Sequence, residues 1–154
     1  MKDIEQLICE HLVSEEKETA LGFVAYLKEN KLTLYRDTGA CWKDKIYYWI
    51  KKANNCIGFI AIADPEEPHN RWTVWSDDSV AYETPLVAEE IKHVAWEHID
   101  DCGHCGSCGG GTTKTIFGKR FDNVCGCTFR IDNAGLRDLP FLKTMIQLRI
   151  QENV

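Results

Sequence analysis

Five of the eight cysteines crowd into one stretch, DDCGHCGSCGGG followed downstream by FDNVCGC. Cys102, Cys105 and Cys108 are spaced C-x2-C-x2-C, sixteen residues separate Cys108 from Cys125, and Cys127 follows at C-x-C spacing. A C-x-x-C turn points both sulfurs to one side, and the glycine after it lets backbone N–H groups approach the thiolates. That is the physics of a metal knuckle, and a tetrahedral four-thiolate zinc suits it. The ligand set expected from this spacing is Cys102, Cys105, Cys108 and Cys125, with Cys127 and His104 as alternates for one place. The same spacing also serves iron–sulfur clusters, which are completed by a further cysteine. A closed four-cysteine zinc has no open coordination position, so its expected role is structural. Reduced thiols in a loop are the plain alternative. The other three cysteines are scattered. Cys9 and Cys56 lie in apolar surroundings and read as core residues. Cys41, in DTGACW, is the one candidate nucleophile, although no histidine lies near it in sequence.

Aromatic residues form a second constellation. Tyr47 and Trp49 alternate with Ile46, Tyr48 and Ile50, and Trp72 and Val74 alternate with Thr73 and Trp75. Rings on both parities of two strands leave large rings on whichever sheet face the helices do not cover. Core packing is the first reading of these rings, and Tyr47, Trp49, Trp72, Trp75 and Tyr82 are the candidate lining for a small aromatic or apolar ligand as the alternative. Asp77 and Asp78 offer paired carboxylates, a pattern that serves acid–base chemistry but more often starts a turn. Glu89, His93 and Glu97 stack at i, i+4 and read as a solvated helix face. His93 and His98 diverge around the helix and are not a zincin-like pair. No phosphate loop, nucleophile elbow or dinucleotide fingerprint is present in the sequence.

The elements that must position these residues follow from periodicity. Ile4, Leu7, Ile8 and Leu12 mark one helix; Ala20, Phe23, Val24 and Leu27 mark another, with Ser14 as its expected N-cap. Period two then takes over in residues 32–36, 46–50, 56–63 and 71–76, with a hairpin at 52–55 where Asn54 and Asn55 tolerate positive φ. Thr84 and Pro85 are expected to open a helix running through residues 86–99. Residues 115–117 and 121–125 read as a hairpin turning at Gly118 and Lys119. A strand at 128–131 and a final helix carrying Leu139, Leu142, Met145, Ile146 and Ile150 close the chain. The expected fold is α+β, an antiparallel sheet of about four to five strands with helices packed on one face. All of residues 1–154 form one domain, with a Cys-rich zinc-knuckle and hairpin insert at about 101–127. Glycines and cysteines dominate that insert, so it is expected to fold around something other than an apolar core.

Composition bounds the partners. The 154 residues are 44% hydrophobic and 27% charged, with a formal net charge of -6. That balance is wrong for neutralising nucleic-acid phosphates or an anionic membrane surface, and four thiolates on one zinc would add negative charge. No apolar run reaches the roughly 18 residues of a spanning helix. The start lacks a signal peptide's apolar stretch, so the expected location is the cytoplasm, where thiols stay reduced.

The run TIFGKRFDNVC after CGHCGSC resembles the C-terminal signature of uncharacterised bacterial cysteine-rich proteins, over roughly residues 72–150. The shared motif takes in Cys102, Cys105, Cys108 and Cys125, and Cys127 falls outside it. More loosely, the α+β plan is similar to the small effector-binding domains that accompany bacterial regulators. The resemblance implies a ligand-binding module and brings no catalytic residues. Together these readings lead to a cytoplasmic zinc-binding domain that binds a small molecule or a protein partner. A thiol-redox or metal-responsive protein in which Cys127 exchanges with a ligand cysteine is the alternative. An enzyme using Asp77, Asp78 or the helix histidines is a third.

Overall fold

The computed structural model describes residues 2–39, 42–103 and 110–152. Two helices come first, the short α1 (Ile4–His11) and the 16-residue α2 (Ser14–Glu29). Asp3 caps α1 through a reciprocal capping box with Gln6. Only Leu12 and Val13 connect the helices. The chain reverses at Ser14, which adopts φ 53, so Val13 takes the cap position and no side chain closes that turn. Ser14 is thus the first helical residue and not the N-cap. Cys9 is exposed rather than core, because it lies off the Ile4, Leu7 and Ile8 stripe.

Antiparallel strands follow: β1 (Thr33–Arg36), β2 (Ile46–Lys52), β3 (Asn55–Ile62) and β4 (Trp72–Ser76). Lys52 pairs with Asn55, so the β2–β3 loop is Ala53–Asn54, and Ala53 takes the left-handed conformation in place of an asparagine. After a 3-10 turn at Val80–Glu83 come α3 (Glu89–Glu97), β5 (Ile99–Asp101), β6 (Thr112–Ile116), β7 (Lys119–Asp132), a second 3-10 turn at Leu136–Asp138, and α4 (Leu139–Gln151). Among the described residues the sheet has seven strands in the order β1-β2-β3-β4-β7-β5, with β6 also on β7.

The α+β architecture agrees with the sequence, and the strand count exceeds the expected four to five for two physical reasons. First, the return strand of the insert hairpin and the strand at 128–131 are one continuous strand, β7, of 14 residues. Second, Ile99–Asp101 is a strand with two acidic residues of poor β propensity, which the sequence alone reads as the end of a helix. The insert is accordingly less separate than its composition implies. Ile116, Phe117 and Val124 are fully buried in the main core, so the β6–β7 hairpin folds on apolar burial. Helix α3 begins at Glu89 rather than Thr84. Thr84 accepts a hydrogen bond from Leu86 N in a local turn, and Pro85 lies against the β6–β7 turn at Gly118.

One sheet face carries Tyr48, Ile50, Ile60, Ile62, Trp72, Val74, Phe129 and Ile131 into a single core with Phe23, Leu27, Phe141 and Met145 of the helices. The opposite face carries its own ring cluster. Trp42 stacks on Tyr47 at 3.7 Å, Tyr47 meets Phe59 at 5.7 Å, and Trp49 meets Phe59 edge-on at 5.3 Å. Cations lie over these rings: Lys45 on Trp42, Lys51 on Trp49, and Arg130 on Trp75 at 5.1 Å. Among the described residues, no helix is long and apolar enough to cross a membrane.

The end of α3 is tied to the start of α4 by a half-buried pair, His98 Nε2 and Asp138 Oδ1 at 2.7 Å, with His98 stacked on Phe141. Burial disfavours the Asp138 carboxylate, but the His98 ring and the Gly135 N–H outweigh it and hold the carboxyl below the usual carboxylate range. A carboxyl depressed on folding contributes stability above its unfolded pKa and loses it as pH falls through the folded value. Asp138→Asn is expected to cost about 1–2 kcal/mol at pH 7, shrinking towards zero as pH falls below the carboxylate range, measured by urea unfolding at stepped pH. A pH-independent difference between the proteins would refute the pairing.

Candidate metal centre and the adjoining cleft

Val124 is the pivot of the cysteine region. Asp101 of β5 pairs with it on one side and Thr112 of β6 on the other. The chain therefore leaves the sheet after Asp101 on one side of β7 and re-enters it at Thr112 on the other, at the same level. Cys102 and Gly111, the residues next to these two points, meet around Asn123. Cys102 N donates to Asn123 O at 2.9 Å, and Asn123 Nδ2 reaches Cys102 O at 3.4 Å. A Cβ on Gly111 would fall 2.8 Å from Cys102 Cβ and 2.8 Å from the Asn123 carbonyl carbon, so only glycine lets the two strands of this loop approach.

The second feature is a bulge. Ile99 and Asp101, two residues apart on β5, face Phe129 and Val124, five residues apart on β7. The three surplus residues lie in the segment 125–128, Cys-Gly-Cys-Thr, which loops out opposite Asp100 and ends with Thr128 at φ 71. Cys125 and Cys127 both sit on this bulge, half-buried, and the Asp100 carboxylate accepts a hydrogen bond from the Cys125 thiol. Burial is the largest influence on Asp100 and pushes its carboxyl up, against the Arg130 charge and the Cys125 bond.

Two side chains satisfy the backbone that the bulge removes from the ladder. Ser76, fully buried at the end of β4, accepts from Phe129 N at 3.1 Å and donates to Cys127 O. Lys114 spends its three donors on Cys125 O at 3.2 Å, Thr128 Oγ1 at 2.9 Å and Asp78 Oδ1 at 2.9 Å. Nothing in the sequence singled out Ser76, Lys114, Asp100 or Asn123. Ser76 ends a strand and Lys114 alternates with threonines, so both read as ordinary surface positions.

The expected ligands divide. Cys102, buried at 8% exposure and just past the end of β5, is brought beside β7, which carries Cys125, with Cys127 on the same bulge as Cys125. Cys105, Cys108 and the alternate His104 lie outside the described residues, as does Cys41. Among the described residues, no group of three histidine, cysteine or carboxylate side chains is arranged to hold a metal.

Other candidates are dispersed. Asp77 and Asp78 diverge: Asp77 pairs with Arg149 and Asp78 with Lys114, so they do not form a carboxylate dyad. Burial pushes the Asp77 carboxyl up against the pull of Arg149. His93 packs edge-on against Trp96, Glu89 pairs with Lys92 and Glu97 with Arg137, as a solvated face should. Cys56 is half-buried rather than fully core; its thiol donates to Gly58 O, and burial pushes it up. Of the five aromatic candidates, Tyr47, Trp49 and Trp75 share the open face. Trp72 and Tyr82 lie in the helix-side core at 1% exposure, because their positions put them on the opposite side of the sheet. Trp72 Nε1 is spent on Ala134 O.

Beside the bulge runs an open cleft of about 780 Å³ between the 3-10 turn at Val80–Glu83, strand β6 and the end of α4. Lys114 and Thr128 belong to both the bulge and the cleft wall. Arg149 crosses the end of the cleft, pairing with Asp77 and, at 2.7 Å, with Glu152. Comparison with protein-family models, curated proteins and solved structures returns no match.

Ser76→Ala removes a group that satisfies a buried N–H and a carbonyl of the bulge together. It is expected to cost about 2 kcal/mol in urea unfolding, with the bulge amides exchanging faster. An unchanged midpoint would mean that water or another group satisfies the bulge.

Proposed function

We propose that the protein is a zinc-stapled binding module. Cys102, Cys105, Cys108 and Cys125 hold one zinc, with Cys127 and His104 as alternates for a single position. The observation that carries this reading is the topology around Val124: Cys102 and Gly111, which flank the rest of the C-x2-C-x2-C run in sequence, lie together beside the bulge that presents Cys125. Cys125 is favoured over Cys127 because its thiol is directed to Asp100, two residues from Cys102 on the neighbouring strand. The donor set is thiolate, which zinc accepts in tetrahedral geometry, and the metal supplies cross-linking rather than an open coordination site. Residues 102–111 contribute little apolar surface, so a staple there offsets the ordering entropy that burial does not. The chain's own residues supply the rest: Asn123 closes the loop, and Ser76 and Lys114 fix the bulge. The bound partner is a small molecule or a protein segment, and the protein works in the cytoplasm, where the thiols remain available to metal.

Elemental analysis of protein purified under reducing conditions is expected to give one zinc per chain and no visible absorption. Cys125→Ser should lose the metal, while Cys127→Ser and Cys9→Ser keep it. Iron with acid-labile sulfide would replace zinc by a cluster. Retention of zinc by Cys125→Ser and loss by Cys127→Ser would exchange the two ligands. Metal-free protein that keeps its fold would sink the staple.

A further inference from the structure

The cleft beside the bulge touches all five residues of Thr112–Ile116 in succession. Successive residues of a strand point to opposite faces, so a cleft lined by every one of them runs along the strand's edge and not across a face. The hairpin geometry shows what that edge offers. Ile116 pairs with Lys119 across the two-residue turn Phe117–Gly118, whose φ values of 49 and 85 are those of a type I′ turn. The closing pair of such a hairpin exchanges hydrogen bonds, and alternation then makes Lys114 with Phe121 a bonded pair and Thr115 with Arg120 a non-bonded one. Thr115 therefore turns its N–H and C=O away from β7 into the cleft. Thr113, two residues before Thr115 on the same strand, turns the same way, and its hydroxyl donates to Asp122 Oδ1 at 3.1 Å. Among the described residues no strand other than β7 pairs with β6. One rung is already filled: Phe117 N donates to Tyr82 O at 2.8 Å. The lysine that usually blunts a strand edge, Lys114, is committed to Asp78, Cys125 O and Thr128.

We infer that this edge binds an extended peptide of low net charge, which adds to the sheet as a further strand next to β6. Main-chain hydrogen bonds to Thr113 and Thr115 supply the affinity, continuing the ladder begun at Phe117 and Tyr82. Low net charge follows from the walls, where Asp78, Glu83 and Glu152 balance Lys114, Arg120 and Arg149. A second copy of this chain fits worse. Antiparallel pairing of two β6 edges through Thr113 and Thr115 sets Lys114 against its own counterpart, and each chain brings a net charge of -6. The inference rests on the reading of the protein as a binding module but not on the zinc. Metal content is measured on the same samples, so either can fail alone.

The test uses the full chain and a displayed library of random heptapeptides, since five edge residues span about 17 Å. Enriched peptides, remade synthetically, are expected to bind and to slow exchange of the Thr113 and Thr115 amides. Thr115→Pro removes an outward N–H that β7 does not use, and should weaken binding about tenfold. Thr115→Val, which loses only the hydroxyl, should bind as the native protein does. Amide exchange in the free native protein is an independent check: Thr113 and Thr115 should exchange fast and Lys114 slowly. Four results would each overturn the inference: no enriched peptide, equal binding to Thr115→Pro, slow exchange at both threonines in the free monomer, or protection that disappears on dilution. The last would assign the edge to a second copy.

Discussion

Backbone that swings out of a sheet leaves polar groups which must find partners, and in β7 that requirement falls on two side chains from other strands. The strand pairs with β4 near its C-terminal end, with β6 near its start, and with β5 between. A single regular register cannot serve all three. The surplus residues are absorbed at Asn123 and in the segment 125–128, where positive φ at Asn123 and Thr128 lets the strand re-enter its ladder. The cost of those bulges is unpaired backbone, which Ser76 and Lys114 satisfy. The position of both downstream cysteines, the approach of Cys102 to Gly111 and the shape of the cleft all follow from this arrangement.

The same constraint explains why polar and apolar work are divided as they are. Ile116, Phe117, Val124 and Phe129 anchor the hairpin and β7 in the core on one side. On the other side the strand carries cysteines, threonines and charged groups. A residue shift of one along β7 would exchange these sets, so the apolar residues fix which residues face away from the core. Lys114 links the two functions proposed for the protein: its ammonium touches the carbonyl of Cys125 and forms part of the cleft wall.

The open sheet face has a different character. Its rings stack on one another and are capped by Lys45, Lys51 and Arg130. None of Tyr47, Trp49 and Trp75 lines the cleft beside β6. The aromatic cluster thus forms a second, thinner packed layer over β2, β3 and β4, and the polar cleft lies apart from it, beside the cysteine region.

Periodicity alone located α1, α2, β2, β3, β4 and α4 to within a few residues, because each buries one face and the burial writes a period into the sequence. Cysteine spacing alone suggested the metal reading, because a knuckle is a local turn. Other features depended on distant partners. The three-residue strand β5 exists only because β7 offers it an edge. Helix α3 starts late because Pro85 packs on the turn at Gly118. Ser76 and Lys114 acquire their roles from a bulge formed by residues far along the chain. Local patterns record what a segment buries. Only tertiary structure decided which backbone groups were left without a partner, because that depends on the register between strands and not on any one of them.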